Sequence, residues 1–141
     1  MDTLGGIFLL VGRVLFSSLF AFSAWGHMRR HPQCVGIAQG KLPIAFLAGV
    51  PTGIYLLLAA VSIVAGIWAD LGALMIAAFL APAALLFHPF WNFADPATRR
   101  IQQGSFLRNV TLLGAALALF ALFGAAGHLP FAVTGPAIDL H

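Results

Sequence analysis

The sequence predicts an all-α membrane protein, a transmembrane four-helix bundle of up-down-up-down topology, and three observations carry that expectation. The first is composition: 61% of the 141 residues are hydrophobic, 8% are charged, and the mean hydropathy is +0.99. A soluble domain carries about 25% charged residues to cover its surface, which seven cations and four anions cannot do here. The second is four long apolar stretches, each near the ~20 residues that a helix needs to cross ~30 Å of hydrocarbon. The third is the shortness of the connections, which makes consecutive helices antiparallel neighbours. Strands are excluded, because an open sheet in lipid leaves its backbone groups unsatisfied and four apolar stretches cannot close a barrel.

The four spans form one domain over residues 1–141 and fall at about 4–25, 43–68, 71–92 and 106–127. Span one is interrupted only by Arg13. It follows Met1-Asp2-Thr3, which offers no basic region of the kind that precedes a secretory leader, so a retained span is expected. Span two lies between Lys41 and Asp70 and contains no formal charge. Ala69-Asp70-Leu71-Gly72 is all that separates it from span three. In the third connection Asp95 is a good N-cap and Pro96 suits a first helical position, which predicts a short interfacial helix before span four.

Orientation follows from the cations. Arg29, Arg30 and Lys41 lie between spans one and two, and Arg99, Arg100 and Arg108 lie between or beside spans three and four. The opposite side holds Asp2, Asp70 and Asp139 and no Lys or Arg. The positive-inside rule then puts both long connections in the cytoplasm and both termini outside, in a cell membrane. Trp25 and Trp91 at one side and Trp68 at the other form the expected aromatic belts.

Several functions are excluded. The cations form no continuous patch of the kind nucleic acid requires. A single cysteine, Cys34, allows neither an internal disulfide nor a Cys-x-x-Cys redox or zinc motif. There is no Ser/His/Asp set, no pair of carboxylates and no Gly-rich phosphate loop, so no catalytic residue and no metal site is expected.

Three segments carry a resemblance. Phe87-His88-Pro89-Phe90-Trp91 is followed by Asp95-Pro96 and by Phe106-Leu107-Arg108-Asn109 with Gly114 beyond it. Span one contains Gly12-Arg13, Phe20, Ser23 and Gly26, and Gly40-Lys41-Leu42-Pro43 precedes span two. Over nearly its whole length, tail residues 134–140 included, the chain resembles the DoxX family of small four-helix membrane proteins. The resemblance implies an integral membrane subunit of an oxidoreductase or electron-transfer assembly, with a quinone as the cofactor class and other membrane or peripheral subunits as partners. Family members commonly carry a glutamate in the second span, whereas all four acidic residues here are aspartates and none lies between Lys41 and Ala69. Tyr55, counted from Gly40, or Leu56, counted back from Trp91, stands in its place.

Arg13 is the most informative single residue. A cation at mid-helix costs at least ~2.5–3.5 kcal/mol on insertion scales, so it is expected to face the bundle interior or a wet cavity. It is either a donor to a ligand or quinone oxygen, or a structural clamp, or a side chain snorkelling to the outer headgroups. Tyr55, helix carbonyls and Asp70 are its expected partners. The histidines fit haem poorly: His27, His31 and His88 sit at one edge and no helical pair points to mid-membrane. A quinone headgroup beside His88 and Trp91 fits better, because such sites are apolar clefts with a few polar anchors. Asn109, Thr111, Ser17, Ser18, Ser23, Thr52 and Ser62 are expected to hydrogen-bond between helices. Gly114 and Ala118 form a small-xxx-small pair, and Arg99 and Arg100 face lipid headgroups.

The expected function is therefore that of a membrane subunit without chemistry of its own, contributing to a quinone site. The alternative is a stand-alone protein that binds or moves a small lipophilic molecule.

Overall fold

A computed structural model of the chain describes residues 2–140. The fold is all-helical. Five α-helices, α1 (Thr3–Arg29), α2 (His31–Ala38), α3 (Val50–Ala65), α4 (Ala69–Phe87) and α5 (Pro96–Ala125), are joined by short segments, two of which contain 3-10 turns at Ala45–Ala48 and Phe90–Asn92. Three helical segments, Thr3–Arg29, Ala69–Asn92 and Pro96–Ala125, are long and apolar enough to cross a membrane.

The helix ends follow local chemistry. Asp2 opens α1 by accepting a hydrogen bond from the Gly5 amide at 2.7 Å. Unlike the expected span, α1 runs on to Arg29, and the chain bends at Arg30 before α2, whose second residue is Pro32. α2 occupies what the sequence presents as a loop. Its first residue, His31, accepts a hydrogen bond from the Val50 amide at 2.9 Å on Nδ1. That bond satisfies an orphan donor at the start of α3, where Gly49 has no side chain to do it.

α3 is shorter than the span 43–68. Its sixteen residues rise about 24 Å, and it stops at Gly66, which is left-handed (φ 66°). Trp68 is left-handed as well (φ 49°), a conformation that costs a non-glycine residue about 1–2 kcal/mol. Its amide donates to Thr134 Oγ1 at 2.9 Å, and its carbonyl accepts from Ser62 Oγ at 3.0 Å. Those two bonds hold the turn into α4. At the far end, Asp95 and Pro96 do begin a helix. No separate interfacial helix precedes span four, however, because nothing between Pro96 and Ala125 breaks the helix.

α1 packs on α3, α3 on α4 and α4 on α5. Each pair runs antiparallel: Arg13 reaches Ile63 while Gly53 abuts Ala24, Tyr55 reaches Met75 while Gly72 abuts Ser62, and His88 reaches Gln102 while Asp70 and Phe123 border one cavity at the other end. α1 and α5, at the two ends of this row, are not packed closely on each other. The core is built from Phe20 and Ala24 of α1, Leu56, Ala59 and Ile63 of α3, Ala73, Ile76 and Leu80 of α4, and Ala116 and Phe123 of α5. Small residues let the backbones approach closely. A Cβ on Gly72 would lie 2.9 Å from the Ala59 carbonyl oxygen and 2.6 Å from Ser62 Oγ. Gly72→Val should therefore lower stability by about 1–3 kcal/mol through overpacking, seen as a lower unfolding temperature in detergent.

The exterior is inverted relative to a soluble bundle. Phe8, Leu15, Phe22, Leu58 and Ile101 are each at least 60% exposed, while Arg13 and Asp70 are buried to 1% and 0%. Apolar side chains outside and charges inside match a lipid solvent, and the chain has the surface of an integral membrane protein.

Beyond α5 the chain turns at Gly127 (φ 67°) and Phe131 (φ 54°) and lies across the end of the bundle that carries the α3–α4 turn. The Val133 and Thr134 amides donate to Gly66 O at 3.1 and 3.0 Å, and the Leu140 amide donates to Gly124 O at 3.3 Å.

Candidate functional site

The tail explains where the buried charges are used. Arg13 lies on the inner face of α1, in line with Gly6, Ser17, Phe20 and Ala24. Its Nε donates to Ile63 O at 2.8 Å and its Nη2 to Val64 O at 2.6 Å. These carbonyls belong to the last turn of α3, where they lack helical partners and form the negative end of the helix dipole. The same guanidinium donates to the tail, from Nη1 to Pro130 O at 3.1 Å and from Nη2 to Phe131 O at 3.3 Å. One cation thus ties α1, α3 and the tail together. Among the described residues no carboxylate lies within ion-pair range of it.

Asp70 does the complementary work. It stands in the first turn of α4, fully buried, and accepts from the Ala137 amide at 2.9 and 3.1 Å and from the Ile138 amide at 2.8 Å. Arg13 takes tail carbonyls and Asp70 takes tail amides. Residues 127–140 have no helix or sheet to satisfy their own backbone, and a buried segment of that kind must find partners elsewhere.

The expected contacts of Arg13 are accordingly corrected. It meets helix carbonyls, but neither Tyr55 nor Asp70. The Tyr55 hydroxyl donates to Met75 O at 2.8 Å on α4, two helical turns from the Ile63–Val64 carbonyls. Asp70 is committed to the tail. The tail itself is the partner that the sequence reading missed; its only signal is the run of Pro130, Gly135 and Pro136, which marks irregular backbone without saying where it docks.

His88 and Trp91 are also engaged within the protein. His88 Nδ1 donates to Gln102 Oε1 at 2.9 Å, joining the end of α4 to α5. Trp91 is half exposed and packs edge-on against Phe90 and Phe106, with ring centroids 5.2 and 5.7 Å away. His27 and His88 do not face a common ligand: His27 Nδ1 donates to Ala48 O at 2.6 Å, and its ring packs edge-on to Phe79. Among the described residues no three His, Cys, Asp or Glu side chains converge as a metal site requires.

The hydroxyls expected to link helices act locally instead. Ser18 bonds Leu15 O, Thr52 bonds Leu47 O, and Ser62 bonds Ile67 O and Trp68 O within its turn. Ser17 Oγ is buried without a partner. Arg99 and Arg100 are exposed in the first turn of α5. Asn109 is half-buried on the same helix, and Gly114 is exposed with open space where a Cβ would sit.

Asp95 caps α5, accepting from the Thr98 hydroxyl at 2.6 Å and the Thr98 amide at 2.8 Å. The Thr98 hydroxyl and then its amide hold the carboxyl below the usual aspartate range. A depressed folded-state pKa gives stability that is present above the unfolded value and lost as pH falls through the folded one. The first turn of α5 should therefore fray on acidification below the ordinary aspartate range. Amide exchange at Thr98 should show this, and Asp95→Asn should remove the pH dependence.

A groove of about 410 Å³ lies between α1 and α5. Phe8, Gly12 and Phe16 line one wall and Ala115, Ala118 and Leu122 the other, with Arg13 at the floor. It exists because the row of helices does not close on itself. No family model matches the chain, and neither the curated proteins nor the solved structures give a match.

Proposed function

We propose that the chain is a four-span, up-down-up-down membrane subunit of an oxidoreductase or electron-transfer assembly, of the DoxX type, with no chemistry of its own. α3, lengthened by the Ala45–Ala48 turn, serves as the fourth crossing. The observation that carries the subunit reading is that both buried charges are spent on backbone groups of the fold, while the α1 and α5 faces stay apolar and unclosed. Such a protein offers a surface for other helices and no reacting group. The oxidoreductase class and the quinone rest on the resemblance of the His88–Trp91 and Phe106–Asn109 segments.

The groove favours a second reading, a stand-alone protein that binds a small lipophilic molecule against α1 and α5. Purification in mild detergent separates the two. Redox-active chains that co-purify in fixed ratio support the subunit; a single species that carries an extractable lipophile supports the binding protein and overturns the subunit.

The positive-inside rule supports an orientation with the cation-bearing end in the cytoplasm and both termini outside, in the cell membrane. Reporter fusions at residues 35 and 100 should behave as internal and a fusion after His141 as external. An internal reporter after His141 would reverse the orientation.

A further inference from the structure

We propose that the junction of α1 and α2 is a binding site for the phosphate headgroup of an anionic phospholipid. A concavity of about 250 Å³ lies there, and its lining is mixed: Ser23, His27, Arg30, Gln33 and Cys34 bring polar groups to Gly26, while Phe22 and Ile37 make its walls largely apolar. The site lies at headgroup depth by the length of α1 together with the charges at this end, Arg29 and Arg30, which apolar lipid excludes. α1 has 27 residues and is about 40 Å long, against a hydrocarbon core of about 30 Å. Its last turn therefore emerges from the apolar layer.

The arrangement of Arg30 sets the chemistry. Its guanidinium folds back along α1 over Gly26, so that a Cβ on that glycine would lie 3.7 Å from Nη2. Glycine makes the floor on which the cation rests. No group among the described residues accepts a hydrogen bond from the Arg30 side chain. The nearby residues of α1 and α2 include no carboxylate; the four aspartates are at positions 2, 70, 95 and 139. An anion from outside the chain is what this cation lacks, and a guanidinium matches phosphate oxygens with paired N–H donors. Ser23 and Gln33 supply neutral donors beside it. His27 spends Nδ1 on Ala48 O, which leaves Nε2 as its remaining polar atom.

The rim decides between a lipid and a free anion. Phe22 is 74% exposed and Ile37 60%, and both border the concavity. Trp25, also exposed, lies on the same stretch of α1 at the depth where indoles favour the interface. An amphiphile is matched at both ends, phosphate to Arg30 and acyl chains to Phe22 and Ile37. Basic pockets between helices are a recurring form of headgroup recognition.

The test uses the full-length protein in mild detergent with dioleoyl phosphatidylglycerol or dioleoyl phosphatidylcholine added, read by native mass spectrometry and by unfolding temperature. Phosphatidylglycerol should be retained at one molecule per chain and raise the unfolding temperature, and phosphatidylcholine of the same chains should do so far less. Arg30→Gln should weaken retention about tenfold or more, the loss expected of a charge-assisted bond. Gly26→Leu keeps every charge but fills the floor, and should weaken it as well. Arg99→Gln, which removes a cation from the same end of the molecule, should leave retention unchanged. Circular dichroism of each variant confirms the fold. Equal retention of the two lipids, equal losses for Arg30→Gln and Arg99→Gln, full retention by Gly26→Leu, or protection by inorganic phosphate alone would each overturn the lipid site.

Discussion

Replacing Arg13 with alanine should destabilise the protein by about 3–5 kcal/mol and release the tail while leaving the long helices formed. The estimate follows from removing one side of a buried polar cluster and leaving the other unsatisfied. Four carbonyls, those of Ile63, Val64, Pro130 and Phe131, lose their donor together. Lysine should recover only part of the loss. A compact ammonium on a flexible stem cannot reach acceptors on two segments with the fixed fork of a guanidinium. The readouts are the unfolding temperature and limited proteolysis after α5. A ligand-binding role for Arg13 predicts the opposite pattern, with lost activity and an intact, stable fold.

Asp70→Ala should cost about 2–4 kcal/mol and give the same proteolytic pattern. It strips the Ala137 and Ile138 amides of a charged acceptor inside the protein, and bonds to charged groups are worth about 1.5–3 kcal/mol each. Asparagine, which keeps one acceptor oxygen, should cost less. The two substitutions should not add in full. Once the tail is free, part of what the second removes is already gone, and a double-mutant cycle should report a coupling of about 0.5–3 kcal/mol. Arg13 should keep a residual cost of its own in the double variant, because it also caps α3 through Ile63 and Val64.

The sequence exposes the membrane character of the chain through composition, and it locates the middles of the long helices because lipid demands long uninterrupted apolar runs, but not their ends: α3 begins at Val50 and α5 at Pro96, against expected starts of 43 and 106. Asp95-Pro96 marks the start of α5 because capping is local chemistry. What it hides is nonlocal. α2 looks like a loop since residues 31–38 show no amphipathic period, and its role in capping α3 through His31 depends on a fold-back that no spacing reveals. The length of α3 is set by Gly66 and Trp68 turning left-handed together, and Trp68 is held there by Thr134 from the far end of the chain.

The candidate site divides in the same way. That Arg13 points inward follows from the cost of a bare cation in lipid. Its acceptors do not, because carbonyls carry no sequence signature and the tail has no periodicity that would dock it. Of Tyr55 and Leu56, either of which stands where the resemblance would put an acidic residue, the first gives its hydroxyl to an α4 carbonyl and the second is buried in the core. Around Arg13 the end of α3 and the tail carbonyls do the work of an anion.

The central claim is that Arg13 and Asp70 exist to close the tail over the bundle. Hydrogen exchange of the amides of residues 131–140 tests it most directly, in the unaltered protein and in Arg13→Ala, both without added ligand. The account predicts strong protection at Val133, Thr134, Ala137 and Ile138 in the first and near-complete loss of it in the second, with α1 and α4 amides still protected. Tail amides that exchange freely in the unaltered protein, or that stay protected without Arg13, would contradict it.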